Sequence, residues 1–207
     1  MNRFTRFVSA AAVVTIVAVA PAAAETWQLD PAHTSAQFSV THMMVSTVRG
    51  AFGATSGTVE YDGTSVASIK VDATIDTTTI TTHNEKRDGH LKSPDFFDVA
   101  KFPTITFKST KVIPGADGAF KLVGDLTMHG VTKEVTLDVD ALSKVIKEKS
   151  GRSRVGTSAT TKINRQDFGV KWNSSLDGGG VVVSDTVKIT LDIEAVLAPP
   201  APPATPK

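Results

Sequence analysis

The chain has 207 residues, with 22 Lys and Arg against 21 Asp and Glu, and it contains no cysteine. So even a charge balance gives no support to a nucleic-acid partner, which calls for a strong basic excess. The missing thiols exclude disulfides, thiolate metal ligation and thiol nucleophiles.

Met1 to Phe7 carries Arg3 and Arg6, Val8 to Ala20 is small and apolar, and Ala22-Ala23-Ala24 supplies an A-x-A site before Glu25. This is the pattern of a secretory signal peptide over 1–24, and its apolar core is too short to cross a bilayer. The expected location is the periplasm or the exterior, after cleavage near Ala24. No later stretch resembles a transmembrane span. Without Arg3 and Arg6 the basic count falls to 20 against 21 acidic residues. The mature part is long enough for one domain with its own core, expected over 25–197. The last ten residues, 198–207 (APPAPPATPK), are Pro-rich and lack groups to pack, so they read as a stiff, disordered tail.

Within the domain, polar and apolar residues alternate almost without interruption, as in half-buried strands. Trp27 to Asp30 begins the fold. In the next run Ala36, Phe38 and Val40 share one face and Gln37, Ser39 and Thr41 the other. His42-Met43-Met44-Val45 breaks the alternation and predicts a bend or helical turn. Strands follow over Val48 to Gly53 and Gly57 to Tyr61, then a tight turn at Asp62-Gly63 and a one-sided row of Ile69, Val71, Ala73 and Ile75.

The rhythm stops at His83 and resumes at Thr104. The intervening segment mixes charge (Glu85, Lys86, Arg87, Asp88, Lys92, Asp95, Asp98) with Leu91, Phe96, Phe97 and Phe102. Pro94 disfavours helix at Ser93, so a helical turn in 84–92 should end there, and Ser93-Pro94-Asp95 can start another. Such an insert is expected to cover one end of a barrel or sandwich.

Beyond it come Ile105 and Phe107, a turn at 114–118, and the rows Phe120 to Met128 and Val131 to Ala141. A polar loop or hairpin end occupies Lys144 to Arg154. Val155 to Ile163, a turn-rich connection over Asn164 to Gly180 with Phe168 and Trp172, and Val187 to Ala195 complete the chain. Eight or nine strands joined mainly by short turns imply antiparallel neighbours, because parallel ones need long crossovers. The predicted class is all-β. Strand length and small row-facing residues (Ala73, Gly124, Thr157, Ala159) favour an up-and-down barrel with interior room over a sandwich. The outer rows, such as Lys70, Asp72, Thr74 and Asp76, are polar, the reverse of an outer-membrane barrel.

Five histidines raise metal and enzyme readings. His83 and His90, with Glu85 and Asp88, can be written as a zinc set, but no compact H-x-H or H-x-x-x-H pair exists, and no metal is expected. His33, His42 and His129 fall at strand ends. There is no G-x-S-x-G nucleophile elbow, so no catalytic residue is assigned. A secreted hydrolase acting on lipid or glycan through His33, His42 or His90 stands as an alternative. Arg49, Arg87 and Arg165 lie beside aromatic or Gly-rich rims, where guanidinium groups suit a phosphate or carboxylate head. The competing reading is that Arg87 pairs with Asp88 or Asp98, and Arg165 with Asp167, merely to pin loops.

Trp27-x-x-Asp30-Pro31-x-His33, Phe38-Ser39-Val40-x-His42, Val48-Arg49-Gly50-x-Phe52 and Gly57 resemble the opening of the YceI-like family, described as periplasmic or secreted polyisoprenoid-binding proteins. Arg87-Asp88-x-His90-Leu91, Ser93-x-Asp95-Phe96-Phe97-Asp98 and Phe102-Pro103-x-Ile105-x-Phe107-x-Ser109 resemble its middle signature. Gly124-x-Leu126-Thr127-x-x-Gly130-Val131-Thr132 and Asn164-Arg165-x-Asp167-Phe168-Gly169 resemble the later ones. The resemblance implies an extended lipocalin-like barrel whose apolar channel holds an isoprenoid, such as a quinone or polyprenyl phosphate, or another long-chain lipid. It implies Phe38, Phe52, Leu91, Phe97, Phe107 and Trp172 along the channel or mouth. It implies His42, Arg49 and Arg87 at the head group, with His90 beside them. The lipid is then the ligand and no cofactor is needed. A periplasmic interaction module for a membrane redox partner stands as a second alternative to lipid carriage, and a second copy of the chain, in a homodimer, is a further candidate partner.

Overall fold

The computed structural model describes residues 24–53 and 55–199. The expected leader apart from Ala24, and all but the first two residues of the tail, lie outside the described residues. Twelve strand segments and one α-helix are present among them.

The first six segments form three broken staves. β1 (Glu25–Leu29) and β2 (Ser35–His42) both run antiparallel to the last strand, β12 (Thr186–Leu197), one along each half. β3 (Ser46–Phe52) pairs with β2, and β4 (Thr55–Tyr61) pairs with β1. β5 (Lys70–Asp76) pairs with β4 and β6 (Ile80–Thr81) with β3. Each pair of segments is therefore one strand line interrupted near its middle: at Asp30–Thr34, at Gly53, and at the 3₁₀ turn Thr77–Thr79. The buried Thr77 fixes the third break, since its amide and hydroxyl each donate at 2.9 Å, to the carbonyls of Pro103 and Phe102.

The remaining staves are β7 (Thr104–Pro114), β8 (Phe120–Met128), β9 (Val131–Val139), β11 (Ser153–Asn164) and β12. A short β10 (Ile146–Lys147) pairs with the start of β11 and makes a hairpin of the predicted 144–154 loop. Neighbouring staves pair in chain order, and β12 returns to β1 and β2 as well as to β11, which closes an antiparallel up-and-down barrel of eight strands. Every connection is between neighbours, as the short turns required. The β9–β11 pairing is the shortest seam, limited to Ala159↔Val139 and Thr160↔Asp138.

Alternation works as expected. Lys70, Asp72, Lys188, Thr190 and Asp192 face solvent, while Val71, Ala73, Ile189 and Leu191 line the interior. No helix among the described residues is long and apolar enough to cross a membrane. Two buried apolar clusters occupy the two halves. Trp27, Tyr61, Ile69, Phe120, Leu122 and Val139 fill one. Phe52, Ile80, Phe96, Met128, Phe168 and Val170 belong to the other, beneath the insert.

The insert opens with helix α1 (Glu85–Lys92), capped by Asn84, whose side chain accepts the Arg87 amide at 3.0 Å. Glu85 and Asp88 in its first turn suit the helix dipole. It stops at Ser93, as Pro94 dictates, and 94–97 continue as turns rather than a second helix. The helix buries no residue of its own; Phe96 supplies the anchor beneath it.

Candidate functional site

The barrel encloses a cavity of about 390 Å³, within the range of small-molecule sites. Its wall is mainly aliphatic and aromatic. At one end it meets the buried Trp27, Tyr61, Phe120 and Val139. At the other its wall is His42, Val48, Arg87, His90, Trp172, Val182 and Val183, all half-buried. This second end, the mouth, lies under the insert and between the β2–β3 tip and the 169–185 connection, and holds the ionisable lining side chains His42, Arg87 and His90.

Two aromatic groups shape this mouth. Phe38, Phe52 and Phe97 form a chain with ring centroids 5.7 Å apart at each step, the second contact edge-on. His90, Phe96 and Trp172 make a second cluster with centroids 5.0–5.2 Å apart. The His90 ring is held by Asp95, with Nε2 2.9 Å from the carboxylate. Phe38 requires Gly50 across the ladder, because a Cβ there would lie 2.4 Å from its ring.

Among the sequence-predicted residues, Phe38, His42, Phe52, Arg87, His90, Leu91, Phe97, Phe107 and Trp172 all line the cavity. Arg49 does not. Val48, Gly50 and Phe52 point inward on β3, so the pleat turns Arg49 outward, where it is exposed. The small residues also divide. Ala73, Thr157 and Ala159 border the cavity, whereas Gly124 gives no room: a Cβ there would sit 2.5 Å from the Phe107 ring that covers it.

Arg87 is neither free nor paired as either sequence reading had it. Its Nε donates to the Thr82 hydroxyl at 2.7 Å and Nη2 to the Thr82 carbonyl at 2.9 Å. Thr82 in turn donates its hydroxyl and amide to Asp88. Burial works to raise the Asp88 carboxyl, but the Thr82 and Thr81 bonds and the Arg87 charge outweigh it and hold it below the ordinary range. Asp98 pairs with Lys101 instead, at 3.1 Å. Thr82 thus orients the guanidinium at the mouth, with Nη1 left without a protein partner among the described residues. Sequence reasoning missed Thr82, since Thr81-Thr82-His83 reads as an ordinary polar turn.

Arg165 lines the cavity yet has nothing to offer a ligand. It is 4 % exposed and donates to the carbonyls of Val170, Trp172, Val183 and Ser184 and to the Asp185 carboxylate, which uses its whole donor set. Its ion-pair partner is Asp185 rather than Asp167. It clamps the 169–185 connection that carries Trp172.

The zinc set that can be written for His83, His90, Glu85 and Asp88, and was not expected, is not assembled: His90 bonds Asp95 and Asp88 bonds Thr82. Asp30, His33 and Glu194 do converge, outside the barrel where the first stave breaks. Arg154 donates to both carboxylates there, and its Nε bonds Glu148. Arg154 first, then His33 and the Ala32 amide, hold the Asp30 carboxyl far below its usual value. A guanidinium already occupies the centre of the group, so it reads as a pin joining the first stave to β11, β12 and the β10 loop.

These features define a closed antiparallel barrel with an internal apolar cavity, covered at one end by a short helical insert. The YceI-like domain family matches residues 27–195, and the chain belongs to it. The protein SA2479 of Staphylococcus aureus N315 is 39% identical over 165 residues, covering 80% of this chain and 94% of that one. A crystal structure of a Campylobacter jejuni YceI protein is 32% identical, with TM-score 0.66, over 77% of this chain and 90% of that one. Burkholderia cenocepacia BcnA shares the fold at 23% identity and TM-score 0.66, over 80% and 98%. A polyisoprenoid-binding domain from Saccharophagus degradans shares it at 18% and 0.60, over 83% and 98%.

Proposed function

We propose that this protein binds a long-chain isoprenoid, or a related amphiphilic lipid, in the barrel cavity and carries or sequesters it through an aqueous compartment, without turning it over. The observation that carries the reading is the apolar cavity, lined with rings and branched aliphatic chains. About ten buried carbons at ~0.8 kcal/mol each supply on the order of 8 kcal/mol, near micromolar affinity. A long prenyl chain offers several times that number, which offsets the cost of ordering it. The fold shared with a domain described as polyisoprenoid-binding points the same way. The leader-like first segment supports a periplasmic or secreted site of action.

The head group is assigned to the mouth, where Arg87, His42 and His90 supply the polar contacts. A quinone and a polyprenyl phosphate both suit this arrangement. Trp27 and Trp172 both line the cavity and are the chain's 2 tryptophans, so their fluorescence reports entry. Titrating delipidated protein with a ubiquinone should give saturable quenching near one equivalent. Linear quenching that never saturates would overturn the reading.

A further inference from the structure

The tip of the β2–β3 hairpin carries Met43, Met44 and Val45, exposed at 45%, 68% and 87%. Val181, 39% exposed, adjoins them: the Met43 amide donates to the Val182 carbonyl, and Met44 sulfur lies over Gly180. The patch borders the mouth, since the flanking His42, Val182 and Val183 line the cavity. The turn is closed by the Val45 amide on the His42 carbonyl at 3.0 Å, and Met43 and Met44 both have positive φ, 49° and 59°. Asn and Gly are the residues that suit such a turn. Two exposed methionines therefore break the local rule for backbone and for surface together, as happens at functional sites.

Behind the tip lies a row of cations. Register places Lys162 opposite Lys188, Lys188 opposite Ser39 and Ser39 opposite Arg49, across β11, β12, β2 and β3. All three cations are exposed on the outer face, and none forms an ion pair among the described residues. Asp185, an acid on the mouth side of this row, is neutralised by Arg165.

We propose that this hairpin seats the barrel mouth on an anionic phospholipid bilayer, against which the cavity loads and unloads. The inference rests on the lipid-carrier reading, and the dimensions agree with it. Arg49 lies four residues past Val45, about 13 Å behind the tip at ~3.3 Å per residue. A headgroup layer is roughly 5–8 Å thick, and interfacial elements sink about 5–10 Å. A tip sunk about 5–10 Å past the acyl boundary thus leaves Arg49 about 3–8 Å outside it, within the headgroup layer, with Lys188 at the same register two ladder steps away. A second apolar pair, Val145 and Ile146, sits at the closed end among Lys144, Lys147 and Lys149. Docking there would point the mouth at water.

Sedimentation of the mature protein with phosphatidylcholine vesicles, and with vesicles also containing phosphatidylglycerol, tests the proposal. Wild type should bind the anionic vesicles and bind the neutral ones far less. R49E/K188E should lose roughly 25-fold or more, at about fivefold per cation. M43N/M44G suits the turn, so its melting temperature should hold or rise while vesicle binding falls at least about tenfold. Its quinone uptake in vesicle-free buffer should be unchanged. V145S/I146S should bind like wild type. The proposal is overturned by a wild type that ignores anionic vesicles, by undiminished binding of M43N/M44G, or by a loss confined to V145S/I146S. A change of oligomeric state in M43N/M44G, with no vesicle binding by wild type, would assign the patch to a second copy and equally overturn it. Vesicle binding that persists without any quinone uptake would remove the carrier reading and leave the docking surface in place.

Discussion

Replacing Arg87 by Gln separates its two jobs. The guanidinium makes two bonds to Thr82, at 2.7 and 2.9 Å, and Arg87 lines the cavity. A glutamine amide can keep one donor for the Thr82 carbonyl but brings no charge. One lost bond costs about 1 kcal/mol, or about 2–4 °C in melting temperature for a domain of this size. If the guanidinium also meets an anionic head, R87Q removes a charge-assisted bond worth about 1.5–3 kcal/mol, a roughly 10- to 150-fold loss for a polyprenyl phosphate. A neutral quinone with the same tail should change by less than about threefold. Displacement of a fluorescent lipid by each ligand, run beside a thermal melt, reads all three quantities. Equal losses for the charged and neutral ligands would refute the head-group role and leave Arg87 only the orientation of the insert.

Arg165→Ala should be far more damaging, about 3–5 kcal/mol in urea unfolding, because it strands four carbonyls and Asp185 around a buried site. A loss below ~1 kcal/mol would show that the 169–185 connection holds without its clamp. Leu191→Trp places an indole where both core clusters meet and should cut ligand capacity with little loss of stability, since the space is already there. Overpacking losses with unchanged capacity would count against an open cavity. At the far end, the Ser65 and Thr64 amides hold the Asp62 carboxyl down to about 2. A depressed carboxylate stabilises above its unfolded value near ~3.9, and that contribution is lost as pH falls through the folded value. Asp62→Asn should therefore flatten the stability profile between about pH 4 and pH 2; an unchanged slope would contradict the assignment.

Much of the barrel was legible because alternation is a local signal. Rows such as Ile69 to Ile75 and Val187 to Ala195 face inward as their period demands. The same logic, applied strictly, would have excluded Arg49, since Val48 and Phe52 already claimed the inner face. The broken staves were harder. Nothing local says that Leu29 and Ser35 continue one line; that follows from β12, which is more than 150 residues away in sequence. Gly124 looks like spare volume in sequence, yet it, like Gly50, is the seat of an aromatic ring whose position only the ladder fixes. Arg165 and Arg154 were hidden for a related reason: their partners, at 170–185 and at Asp30 and Glu194, are set by loop closure and barrel closure. Leu91, Phe96 and Phe97 stand out because the insert interrupts a strand pattern, which is visible without knowing what it covers, whereas Phe38, Phe52 and Trp172 are placed at the mouth by the family resemblance.

The central claim is that the cavity holds a long apolar molecule. Native mass spectrometry of the mature protein, purified without detergent and compared before and after organic extraction, tests it most directly. The account predicts an extractable adduct of long-chain lipid mass, and a single equivalent regained when quinone or polyprenyl phosphate is added back. The same mass before and after extraction, with no uptake of either lipid, would contradict it.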